Sequence, residues 1–204
     1  MFIINLGIAG KGQNCEAAGG KHVWYNQDGR KSACYHCKVT RLGRLWETEQ
    51  EFQRHVNDAL EPHSQALISV LRQLVLHDYP HEVVSVEFEV FPQSFPSGFP
   101  VRAFFMDKDN TEFFISKDGA PAYPSPVDPE LLELSRVYRA DAAKDLLDAD
   151  PDADDLTLAG EALIPWFSRC WLEAGGAVFT RSATISLHDG GRFFDLVEQN
   201  WQGW

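Results

Sequence analysis

The chain has 204 residues, a hydrophobic fraction of 44%, six tryptophans and a formal charge of -12. That apolar and aromatic content excludes intrinsic disorder and is enough for one large domain or two small ones. No apolar run approaches the roughly 20 residues that span a bilayer, and the acidity argues against nucleic acid as a direct ligand, because phosphates are neutralised by cations.

In chain order, Met1 to Leu6 reads as a first strand. It lacks the basic start of a secretion signal, so the expected compartment is the cytoplasm. There the four cysteines are expected as thiols or metal ligands rather than disulfides. Residues 1–45 are rich in glycine and predict strands around a hairpin that turns at Asp28-Gly29. From Glu47 the period becomes helical, with Phe52, Val56 and Leu60 on one face. Pro62 opens a second helix, whose stripe is Leu67, Val70, Leu71, Leu74 and Val75, and Pro80 closes it.

The balance of charge changes beyond this point. Residues 1–80 hold nine Lys/Arg against eight Asp/Glu, whereas residues 81–204 hold nine against twenty-two. The expected organisation is therefore a hairpin-and-helix segment over 1–80 and an acidic α+β domain over 81–204, packed as one unit or as two.

Within the acidic half, Val84, Val86, Phe88 and Val90 alternate with polar residues, the pattern of a strand with one buried face. A proline-rich connection, Phe91 to Pro100, leads to a predicted hairpin of Val101–Met106 and Glu112–Ser116 around Asp107 to Asn110. Pro121 to Pro126 reads as a stiff loop. Asp128 then caps a predicted helix with Pro129 at its first position and a stripe of Leu131, Leu134 and Tyr138. A further helix carries Leu163, Phe167, Cys170 and Ala174 and stops at Gly175-Gly176. Finally, alternation from Phe179 to His188, the turn Asp189-Gly190-Gly191 and the segment Phe193–Val197 predict an antiparallel hairpin. Strands and helices come in runs rather than in βαβ alternation, so the fold class is α+β, with antiparallel hairpins or a sheet packed by several helices.

The most specific chemical pattern is Cys15, His22, Cys34 and Cys37. A Cys-x-x-Cys turn presents two thiolates to one ion, and a hairpin brings His22 across from it, with His36 as a substitute ligand. The array fits a structural zinc staple for a segment with little core of its own. The competing reading is four reduced cysteines with histidines on a wet hairpin.

Carboxylates at Asp150, Asp152, Asp154 and Glu161 fall at the spacing of a calcium loop. However, Asp155 stands where that loop needs glycine, which favours a solvated acidic linker that caps the next helix. The glycines at 7, 10 and 12 are spaced too closely for a phosphate loop. Neither a Gly-x-Ser-x-Gly elbow nor a His-Glu-x-x-His helix occurs, and Cys170, which could face His188, lies on an apolar stripe. The chain is thus expected not to be an enzyme.

Two features suit binding. Trp201 and Trp204 are of the type most enriched at interface hot spots, unless they fold back on the sheet. The acidic run at Asp150, Asp152, Asp154 and Asp155 suits a basic protein, unless it is merely solvated.

The segments Ala33 to Lys38, Gly98 to Met106 and Phe193 to Trp201, with this size and acidity, give the chain an overall character similar to bacterial immunity proteins. That resemblance implies a cytosolic antidote that binds a basic toxin, such as a nuclease, and blocks its active site. The alternative expectation is a zinc-stapled adaptor or regulatory module.

Overall fold

Helical and strand periodicities are converted into packed layers wherever a computed structural model describes the chain, at residues 24–26, 31–34, 36, 40–42, 44–114, 116–117, 120–121 and 132–203. The predicted strand Met1–Leu6, the turn Asp28-Gly29, the loop Pro121–Pro126 beyond its first residue and the capping pair Asp128-Pro129 lie outside them. Strand β1 (Trp24–Asn26) pairs antiparallel with β2 (Lys31–Cys34), with Trp24 opposite Cys34, as a hairpin between them requires. β3 (Thr40–Leu42) adds to β2 and completes a three-stranded sheet.

Helix α1 (Arg44–Leu60) buries Phe52, Val56 and Leu60, spaced four residues apart so that they share one face. One turn of 3-10 helix at Glu61–His63, holding Pro62, leads into α2 (Ser64–Val75). There Leu67, Ile68, Leu71 and Leu74 form the buried stripe.

The main sheet has the order β10-β9-β8-β4-β5. β4 (Ser85–Val90) and β5 (Val101–Met106) pair antiparallel and bury Val86, Phe88, Val90, Val101, Ala103 and Phe105 on one face. β8 (Ser182–Leu187) runs parallel to β4 and adds Ala183 and Ile185 to that face. β9 (Phe193–Asp195) pairs antiparallel with β8. β10 (Asn200–Gln202) pairs with β9 and forms the edge. The α+β class is therefore realised as a mixed sheet, mostly antiparallel, with one parallel pair.

Helix α4 (Asp155–Glu173) is the central element. It buries residues around most of its circumference, including Leu163, Ile164, Trp166, Phe167, Cys170 and Trp171, as a helix enclosed by other elements must. Phe167 and Trp171 meet Phe88 of the sheet at 4.8 and 5.7 Å between ring centroids. On its other side, the Trp166 indole donates to Ser64 Oγ of α2 at 2.9 Å. One hydrophobic core thus takes residues from both sides of position 80. No helix among the described residues is long and apolar enough to cross a membrane.

Two sequence expectations are corrected. Residues 132–139 are not helical; the helix that precedes α4 is α3 (Ala140–Ala149). Leu132, Val137 and Tyr138 are each buried from an irregular segment, and the Val137 N–H bonds the Phe95 carbonyl at 2.8 Å. Tertiary contacts there outweigh a local helical stripe. The returning strand Glu112–Ser116 is reduced to a single bridge, Met106 with Glu112, because Asp107 turns the chain by accepting both the Asp109 and Thr111 N–H groups at 2.9 Å. Its last residue instead opens β6 (Ser116–Lys117), which pairs with β7 (Ala120–Pro121).

Candidate functional site

Of the predicted zinc ligands, Cys34 is described and buried at the end of β2; Cys15, His22 and Cys37 lie outside the described residues. His36, the substitute, is exposed. Among the described residues no group of three or more His, Cys, Asp or Glu is placed to hold a metal. Cys170 is enclosed in the core, and burial pushes its thiol pKa up to about 11, which keeps it protonated and unreactive.

The four aspartates between α3 and α4 divide into two pairs. Asp154 is the N-cap of α4 and accepts the Thr157 N–H at 3.0 Å and the Thr157 hydroxyl at 2.7 Å. These bonds hold its carboxyl below the usual range. Asp155 accepts the Tyr138 hydroxyl at 2.8 Å, which ties the irregular segment to the start of α4. Both serve the fold. Asp150 instead closes a local turn by accepting the Asp152 N–H at 3.2 Å, and the Asp152 side chain is exposed. Neither carboxylate of this second pair bonds another helix or strand among the described residues.

Trp201 stands on β10 with its ring edge-on to Phe194 at 5.4 Å. It does pack back on the sheet, yet it stays 41% exposed. Trp204 lies outside the described residues. Between Trp201 and α4 runs a groove of about 260 Å³ lined by Ile164, Pro165, Leu172, Phe194 and Trp201, with Ser168, Arg169 and Gln199 as its polar members. It is smaller than the roughly 300–1,000 Å³ of small-molecule sites, and suits a side chain better than a substrate. Pro165 brings no N–H to the helix, so the Glu161 carbonyl loses its usual donor on this side. The far wall is set by Gln199, whose left-handed backbone (φ 56°) turns the chain into β10 and whose amide oxygen accepts the Ser168 hydroxyl at 2.9 Å.

Arg192 links this groove to the acidic loop. Its guanidinium lies 4.3 Å from the centre of the Trp201 ring and donates to Glu161 at 3.5 Å. Glu161 also accepts from Gln53 of α1 at 3.4 Å. Next to it, Glu49 of α1 has its carboxyl pKa raised, first by burial and then by the charges of Asp150 and Glu161. Among the described residues no cation pairs with Glu49 or Asp150. A strip thus runs from Trp201 through Arg192, Glu161 and Glu49 to Asp150, and joins the two features that the sequence offered separately.

Sequence reasoning missed Glu49, Glu161 and Arg192 as members of this strip, together with Leu172 and Phe194 in the groove. Glu161 is the last carboxylate of the calcium-like spacing and was visible as such. Glu49 and Arg192 carry no local signal, because only the packing of α1 and β9 against α4 makes them neighbours. On the opposite face of the sheet, Glu89 meets His188 Nδ1 at 2.7 Å, and Phe91 lies against the imidazole at 4.5 Å. Comparison with protein-family models, with curated proteins and with solved structures returned no match.

Proposed function

We propose that this chain is an immunity-type binding protein of the cytoplasm, which neutralises a basic toxin by docking on it and covering its active site. The observation that carries the reading is the Glu49 corner. Burial first, and then the charges of Asp150 and Glu161, raise the Glu49 carboxyl pKa, on a strip that ends at an exposed tryptophan. Glu49 and Asp150, which no cation pairs among the described residues, suit an external cation, and an amphipathic aromatic on the same strip suits an interface. The net charge of -12 would steer a basic partner from a distance.

Co-purification from the native host, followed by association kinetics, tests this. A basic protein should be recovered, and its association should slow as salt rises, because screening at physiological ionic strength acts over about 8 Å. Neutralising the free acids together, in Glu49→Gln, Asp150→Asn and Asp152→Asn, should slow association by about 10-fold at low salt with less effect on dissociation. Recovery of the protein alone, or with an acidic partner whose binding ignores salt, refutes the reading.

A further inference from the structure

The groove beside Trp201 carries more than a patch of exposed apolar surface, because the sheet ends there. In the β8–β9 ladder the Leu196 N–H donates to the Ala183 carbonyl at 2.9 Å. Bonded and non-bonded pairs alternate in an antiparallel ladder, so Phe194 also directs its main chain at Ile185, while Phe193 and Asp195 direct theirs at β10. The latter two stand opposite Gln202 and Asn200. Trp201, opposite Phe194, therefore turns its N–H and C=O away from the sheet, towards the side where no described strand follows. Its side chain stands out of the plane of the sheet on the α4 face, where it forms one wall of the groove.

The geometry points to strand addition: an extended segment of the basic partner pairs with β10 at Trp201 and seats an apolar side chain in the groove, with a Lys or Arg two residues away on either side. The inference rests on the docking function proposed above and names how that partner is held. A strand laid against β10 puts alternate side chains on the α4 face, about 7 Å apart. The central one meets Ile164, Leu172, Phe194 and Trp201, of which Leu172 and Trp201 are 40% and 41% exposed. Its neighbours on that face reach the groove's rim. Exposed Glu173 and Glu198 are the chain neighbours of the lining residues Leu172 and Gln199, while Glu161, behind Arg192, is already bonded to it. The groove's own arginine, Arg169, is committed to an ion pair with Glu61. A second copy of this chain is a poor occupant, since each copy brings a charge of -12. A helix is a poor one too, because it would leave the outward Trp201 groups without partners.

The test is a titration of the full chain, labelled with nitrogen-15, with an acetylated and amidated Lys-Thr-Leu-Thr-Lys peptide at millimolar concentration. Saturable shifts of the Trp201 indole and backbone amide are expected, with slowed hydrogen exchange at that amide. Glu-Thr-Leu-Thr-Glu should lose the effect through charge, and Lys-Thr-Ser-Thr-Lys through its missing anchor. Leu172→Arg should abolish saturation while the melting temperature and circular dichroism stay near wild type; should that variant not fold, Trp201→Phe, read at the backbone amide, takes its place and weakens binding several-fold. Shifts confined to Glu49 and Asp150, an unprotected Trp201 amide, equal binding of the serine peptide, or no saturation overturn strand addition. The two readings fail separately. Salt-sensitive binding of a co-purified basic protein that survives Leu172→Arg and Trp201→Ala keeps the docking function and removes the groove from it. Peptide saturation at Trp201, with no basic protein recovered, supports the groove and removes the immunity role.

Discussion

Replacing Asp154 with alanine removes the acceptor for two hydrogen bonds from Thr157 at the first turn of α4. Loss of an N-cap costs about 1 kcal/mol, within a range of about 0.5–2. For a chain of this length, 1 kcal/mol moves the thermal midpoint by roughly 2–4 °C. Asp155→Ala should cost about 1 kcal/mol, because the part-buried Tyr138 hydroxyl loses its acceptor. Asp152→Ala, at an exposed side chain, should stay within about 0.5 kcal/mol of wild type. Urea melts of the three variants give the comparison. The pH dependence sharpens it. Asp154 has a lowered native pKa, so its contribution is full above the ordinary carboxylate range and is lost as pH falls through the native value. The gap between wild type and Asp154→Ala should therefore close in acid. Equal effects at Asp152 and Asp154, or a gap that widens in acid, would refute the division of the four aspartates into folding and docking pairs.

Glu49 reverses that sign. Its raised native pKa means that the ionised carboxylate opposes folding at neutral pH, and that stability is gained as pH falls through the raised value. Glu49→Gln should thus raise the melting temperature at neutral pH and flatten its dependence on mild acid; a lowered melting temperature would contradict the crowded corner. Gly176→Ala should destabilise by about 1–3 kcal/mol in urea melts, since the added methyl overlaps the fully buried Trp171 indole. An unchanged melt would show that the indole can move. Elemental analysis should find about one zinc per chain, lost in Cys34→Ala, if Cys15, His22, Cys34 and Cys37 form a staple; metal-free protein with four titratable thiols ends that proposal.

Sequence alone determined the elements whose periodicity is local. Most of the α2 stripe, the alternation of β4 and β8 and the buried course of α4 are legible, because burial on one face imposes a period of 3.6 or 2. Ile68, however, is buried in place of the predicted Val70, and Val84 stays exposed before β4. Sequence also marked the acidic linker as the cap of α4, where the structure selects Asp154, and Gly175, with its positive φ of 100°, as the stop after it. Tertiary structure decided what joins elements distant along the chain. The parallel pairing of β4 with β8 has no local signature, since main-chain groups pair without regard to side-chain type. Residues 132–139 carry a helical stripe yet lie irregular, because Val137 and Tyr138 gain more from Phe95, Asp155 and the core than from an isolated turn. The site divides in the same way. Trp201 and Asp150 were visible as residue types suited to binding, whereas their connection through Arg192, Glu161 and Glu49 exists only once α1 and β9 pack on α4, because ion pairs and crowded charges depend on distance in space.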